Sequence, residues 1–490
     1  MHEFPTLQGP RESVLPGLCY NVHTMPQRIF RLVIFIFCAT LCGAAVQGKT
    51  HPAQSSAAPR AASSSEPHAE TILIFPFQND SRTASLDWLG EGLSELTAER
   101  FEDRGVNVLS REDRLATLEK IGLPDSARFS HATIVKIATE ADADAVIFGR
   151  FQYDGQRATL EARVLRISPP SLSPAFTESG SMEDLLRVHA RLAWKVLCVM
   201  NKKECPLQGA NQDESSFSEP PPSLRPEALE NFIRGVTGSQ DEERLRLLRE
   251  AARLEPTWDR PAFELGKIYF KRHDCDAALV WYSRVPPNRP DGAEASFATG
   301  VCHLARNDAT RAEAAFSSVL ERTRKTGEKD WLPELPEMHN NLGVSRLQIG
   351  KWNEAETEFE RASALDPEEA DYWINIAIAK IIGKQTSAAV SALEHARKIA
   401  PDDKEARVLS IATLESLGRT TEASAVRAET PEKGERQVMP NLQDGVALAR
   451  MARVSRNFDR TLLRPGGEAP EGQSPAGKGS RKTDGGGVRQ

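Results

Sequence analysis

Gly43, Gly48, Lys49 and Thr50 stand in the order GxxxxGK[ST], the pattern in which backbone amides and a lysine cradle nucleotide phosphates. That chemistry needs a strand before the loop and a helix after it, so that the helix N-terminus faces the anion. Here an apolar run precedes the pattern, and His51-Pro52 with an Ala/Ser/Pro stretch follows it, so no nucleotide site is expected. Gly90-Glu91-Gly92 is too little for a dinucleotide loop. The ten histidines show neither HExxH spacing nor paired CxxC companions that would hold a metal. Cys302-His303 and His273-x-Cys275 bring a thiol near an imidazole, the parts of a nucleophile and its base, but they read more simply as helix or turn residues. No catalytic, metal or cofactor set is expected, and the chain reads as a non-enzyme.

Recognition is better served by residues that recur in register. Asn341 and Asn375 are 34 positions apart, and a carboxamide donates and accepts at once, as a peptide backbone does. The same interval runs through the surrounding sequence. Alanines at 278, 312, 355, 389 and 423 are separated by 34, 43, 34 and 34 residues. Four positions beyond each stand Tyr282, Phe316, Phe359, Leu393 and Arg427, and Pro256, Pro290, Pro367 and Pro401 close units. This is the signature of stacked helix pairs. Gly266 and Ala278 take away bulk where the two helices of a unit cross, and Gly343 with Ala355 repeats the device. Tyr269 and Tyr282 are expected to fill the space between units. A third unit (Gly300, Ala312, Phe316) is followed by an insertion at 325–335, and the end units are degenerate, as caps tend to be.

The rest of the chain divides by composition. At 490 residues it is too long for one domain, and a net charge of −7 argues against a nucleic-acid face. Residues 1–48 have the layout of a secretory signal, starting at Met25: Arg28 and Arg31, an apolar run from Leu32 to Val46, and small residues at Gly43-Ala44-Ala45. The run is shorter than the roughly 20 residues that span a bilayer, so cleavage is expected rather than a retained anchor. Cys198, Cys205, Cys275 and Cys302 would remain, and four cysteines allow three pairings. Cys198 and Cys205 are near enough to bridge a helix end; buried free thiols are the other reading. Residues 49–69 form a flexible linker.

Residues 70–205 interleave strands (Thr71–Phe77, Val106–Leu109, Ala145–Phe151, Ala158–Ile167) with helices over about 86–104, 130–140 and 181–200, and Asp154-Gly155 makes a hairpin turn. A proline-rich linker (206–225), the repeats (226–430), a further helical segment (431–464) and a disordered tail (465–490) complete the chain. The expected class is multi-domain α+β: a small α/β domain with a mixed sheet, then an all-α array.

The repeat residues resemble the tetratricopeptide repeat family, over about 225–430. The resemblance implies a right-handed superhelix whose concave side, lined by the first helix of each pair, takes an extended peptide or a partner helix. Its groove positions would be Lys267, Lys271, Asn340, Asn341, Gln348 and Asn375. Gly266, Ala278, Tyr282, Ala312, Phe316, Gly343, Ala355, Phe359 and Ala389 would be the packing positions. The family's carboxylate clamp is not expected, because the third unit offers Phe297, Val301 and Leu304 there. ILIFPFQNDS at 72–81, GEGLSEL at 90–96 and ADAVIFGRFQYDG at 143–155 resemble the amino-terminal domain of TolB. That implies a contact and assembly module of the bacterial envelope, here without TolB's propeller.

Together the resemblances imply an exported scaffold for protein or peptide partners in envelope assembly or transport, or alternatively a sensory component regulating an enzyme complex. The location would be the periplasm, or the inner membrane facing it if the N-terminal segment stays uncleaved. No nucleic acid is expected as a partner.

Overall fold

The computed structural model describes residues 70–125, 128–200, 217, 224–289, 291–325, 335–429 and 439–458. The signal and linker (1–69), the 43–50 pattern, Cys205, Pro290, most of the insertion and the 465–490 tail lie outside them.

The α/β domain is built on β1 (Thr71–Ile74), four consecutive buried residues with a parallel neighbour on each side, β3 (Asn107–Val108) and β4 (Ala145–Tyr153). The hairpin pairs β4 antiparallel with β5 (Arg157–Arg166), whose outer side carries β6 (Ser171–Leu172) and β7 (Phe176–Ser181). The expected strand to Phe77 stops early because Pro76 has no N–H for the ladder. Pairing resumes at β2 (Gln78–Asn79), which runs parallel to β4. α1 (Trp88–Glu102) and α4 (Leu185–Met200) cover the face carrying Ile72, Ile147 and Leu160. α2 (Arg111–Lys120) and α3 (His131–Glu140) cover the face carrying Leu73 and Val146.

Gly90 and Gly92 have packing duties. A Cβ on Gly90 would lie 2.3 Å from the Phe77 carbonyl oxygen, and one on Gly92 would lie 3.5 Å from Ile233 of the repeats.

Six helix pairs follow among the described residues: α5/α6 (Pro226–Thr237, Asp241–Leu254), α7/α8 (Asp259–Lys271, Cys275–Tyr282) and α9/α10 (Gly292–Ala305, Ala309–Lys325), then α11/α12 (Pro336–Gln348, Trp352–Leu365), α13/α14 (Ala370–Ile382, Thr386–Ile399) and α15/α16 (Lys404–Ser416, Thr420–Ala428). Ala278, Ala312, Ala355, Ala389 and Ala423 are all fully buried. In three units a glycine on the first helix receives a ring from the second. A Cβ would stand 2.5 Å from Tyr282 at Gly266, 2.4 Å from Phe316 at Gly300 and 2.6 Å from Phe359 at Gly343. Tyr282 therefore fills its own unit rather than the gap between units, because the absent side chain of Gly266 leaves the space there. Tyr269 does reach across, its hydroxyl bonding to Arg249 of the preceding unit.

Cys275 and Cys302 form a disulfide between α8 and α9, which ties the second unit to the third, and Cys198 is also disulfide-bonded. A cross-link closing 27 residues stabilises on the order of 3 kcal/mol, chiefly through the unfolded chain. Cys302→Ser in an oxidising buffer is expected to lower the melting temperature by several degrees, an effect that vanishes when both proteins are melted with reductant.

The helix expected across 431–464 is confined, among the described residues, to α17 (Gly445–Met451), capped by Asp444. Ala452 turns to φ −61°, ψ 135°, and residues 453–458 carry no helix. Their backbone groups are used by the repeats instead.

Candidate partner-binding groove

The first helices α11 and α13 lie side by side and place Asn340, Asn341 and Asn375 on one surface, each without solvent exposure. Asn375 Oδ1 accepts from Arg453 N at 2.7 Å, while its Nδ2 donates to Arg453 O at 2.8 Å. Two residues on, Asn341 Oδ1 accepts from Ser455 N at 2.8 Å and its Nδ2 donates to Ser455 O at 2.8 Å. Each amide thus mimics a neighbouring strand, and the i, i+2 alternation is that of an extended chain showing one edge. Asn340 joins the two, accepting from Asn375 Nδ2 at 2.8 Å and donating to Asn341 Oδ1 at 3.2 Å, to Arg453 O at 3.0 Å and to Ser455 Oγ at 3.1 Å. Behind the cluster, buried His339 meets Glu358 at 2.5 Å and Arg346 meets the same carboxylate at 2.8 Å, fixing α11 on α12. Burial opposes the charge on Glu358, but the hydrogen bond with His339 and the Arg346 guanidinium hold its pKa below the ordinary value.

Side chains of residues 452–458 find separate places. The Arg453 guanidinium meets both oxygens of Asp403 at 2.6 and 2.9 Å, Asp371 at 2.5 Å and Glu405 at 3.0 Å. Burial works against the Asp403 carboxylate, yet Arg453 and the Ala406 amide it caps bring its pKa below the usual aspartate value. The Phe458 ring lies 5.2 Å from that of Phe297, and Arg456 sits 4.9 Å over Phe270. Val454 packs against the repeat core beside Leu448 and Ala449 of α17. We call residues 452–458 the strap.

The structure brings Asn340, Asn341 and Asn375 together and leaves the other expected groove residues apart. Lys267 points into the α/β domain, bonding to Glu112 at 2.9 Å and Glu264 at 3.1 Å. Burial disfavours its charge, but those carboxylates and Glu294 raise its pKa. Lys271 is exposed and Gln348 half-buried, and neither hydrogen-bonds to the strap. The α/β domain covers this part of the array. Arg260 meets Glu95 at 2.5 Å, and Arg289 meets Asp259, Glu99 and Asp103. A cavity of about 380 Å³ remains between them, lined by Arg114, Arg244 and Asp291 among others.

The thiols beside His273 and His303 are used in the disulfide. His189 is a core residue: burial pushes its pKa down to about 3, and it bonds to Thr97 Oγ1 at 2.8 Å and the Leu93 carbonyl at 3.1 Å. Among the described residues no cluster of three or more metal-ligating side chains occurs, and no helix is long and apolar enough to cross a membrane. Sequence reasoning missed Asp371, Asp403, Arg453 and Phe458, although acids stand at the repeat interval as Glu337, Asp371 and Glu405 and again as Glu369 and Asp403.

Tetratricopeptide repeat sequence is matched at residues 262–325 and 340–404. No curated protein matches the chain. Among solved structures, MamA is 19% identical, with 34% of this chain and 91% of MamA covered at a TM-score of 0.30. YrrB, described as a TPR protein with an unusual peptide-binding site, is 14% identical over 38% of this chain and 93% of its own, with a TM-score of 0.32. PilW, described as a widely conserved type IV pilus biogenesis factor, is 16% identical over 42% and 93%, with a TM-score of 0.34. The chain thus carries tetratricopeptide repeats behind a small N-terminal domain with a mixed sheet.

Proposed function

We propose that this protein is a non-catalytic scaffold that holds an extended segment of a protein partner in the groove of α11 and α13. The observation that carries the reading is the pair of two-way amide contacts from Asn375 and Asn341 to alternate residues of one peptide edge. Backbone pairing of that kind tolerates many side chains, which suits a scaffold. The α/β domain is read as a TolB-like module adding a second contact surface, and the setting as the bacterial periplasm, reached through the N-terminal signal. A role in envelope assembly or transport accords with that setting. A sensory role would place the same groove on a regulated enzyme complex; no residue favours it over the scaffold.

A photo-crosslinking amino acid in place of Gln348 in living cells is expected to capture a defined partner segment. Asn341→Ala with Asn375→Ala should cut that yield at least fivefold with helicity unchanged. An undiminished yield would place recognition elsewhere. Fractionation with mass spectrometry of the mature N-terminus tests export; an intact chain in the cytoplasm would refute it.

A further inference from the structure

The strap is held by features that make no use of its being part of the same chain. Two amides read its backbone, three carboxylates take Arg453 and an aromatic ring receives Phe458. Planar guanidinium geometry matches the two Asp403 oxygens as a lysine's single ammonium would not. Without the strap, Asp371, Asp403 and Glu405 would lose the guanidinium that they share. The groove is therefore better suited to exchanging one occupant for another than to standing empty. A covalently tethered segment competes at an effective concentration in the millimolar range, so free ligands meet a groove already in use. The outer side of the strap is open, with Arg456 and Asn457 exposed, which gives an incoming chain somewhere to start.

Resting on the scaffold reading above, we propose that the strap is a tethered competitor whose own pattern describes the partner. The external ligand is an extended peptide with an arginine, a small hydroxyl residue two places on and an aromatic three beyond that. It binds by displacing residues 453–458.

The probe is a fluorescein-labelled peptide with the sequence of residues 450–458, titrated by anisotropy into the full chain. Against the full-chain variant Arg453→Glu with Phe458→Ala, whose strap no longer fits, it is expected to bind at least tenfold more tightly than to wild type. Peptides carrying Arg453→Ala or Phe458→Ala should each lose tenfold or more. A second measurement needs no variant: a saturating amount of unlabelled peptide should speed hydrogen exchange at the Arg453 and Ser455 amides of wild type. Equal affinity for wild type and a variant that melts normally would overturn the proposal, as would unchanged exchange at saturation. So would a concentration-dependent dimer in sedimentation velocity that exchanges straps between copies. If the photo-crosslinked partner depends on the asparagines but lacks this pattern and leaves strap exchange unchanged, the competitor idea fails while the scaffold reading stands.

Discussion

Gly343→Ala is expected to destabilise the repeat array by about 1–3 kcal/mol, and adding Phe359→Leu to recover most of that loss. The new methyl would stand 2.6 Å from the Phe359 ring, which is fully buried and has nowhere to retreat. The next unit shows how the clash is relieved. There the equivalent positions are Ala377 and Leu393, both buried, an alanine facing a smaller branched side chain. Phe359→Leu alone leaves a void opposite Gly343 and should itself cost about 1–2 kcal/mol. Both single substitutions are thus harmful, and the pair is better than their sum by an interaction energy of 1 kcal/mol or more, the range seen for residues in direct contact. A thermal or urea double-mutant cycle measures it. Strict additivity would mean that the glycine and the ring do not share one space.

That pairing also explains what could be read from the sequence. Small and large residues at fixed offsets are a local record of helix crossing, so the alanines, glycines and rings of the array were visible as a period. The capping box of α2, Ser110 with Asp113, was equally visible as a pattern but lay between short apolar runs that drew attention to strands. β7 was hidden for another reason. Its residues Phe176–Ser181 are mostly polar and sit at a sheet edge, where alternation is weak.

The strap shows the deeper limit. Asn341 and Asn375 were legible as equivalent groove positions, but their occupant is set by hydrogen bonds that reach 48 to 115 residues along the sequence, from Arg453 with Glu405 to Ser455 with Asn340. An extended segment that pairs through its backbone leaves almost no trace in side-chain periodicity, and the apolar residues of α17 suggested only a longer helix. Lys267 fails in the same way. Its helix position is right for a groove, and the α/β domain supplies Glu112 from 155 residues away.

Arg260→Ala is expected to loosen the α/β domain from the repeats, at a cost of about 2–3 kcal/mol near neutral pH. Burial opposes the charge on Arg260, but Glu95, Asp291, Glu99 and Glu102 overcome it and raise its pKa. The converse holds for the acids. Burial raises the pKa values of Glu95 and Glu99 despite the attraction of Arg260. Removing the arginine takes away that attraction and leaves carboxylates that are expensive to keep ionised in a partly desolvated interface. The sign of the pH dependence follows. A carboxyl whose folded pKa is raised adds its stabilising contribution below the unfolded glutamate value, near pH 4.3, and loses it as pH climbs through the folded value. The variant's deficit should therefore be largest at pH 7–8 and shrink as the pH falls toward about 4.5, where protonated Glu95 no longer needs the cation. Urea melts of wild type and variant across that range test this, with Arg260→Lys as the control that keeps a charge. A deficit that is flat with pH would assign Arg260 to packing over Phe232, 5.9 Å from its guanidinium, rather than to the charges around it.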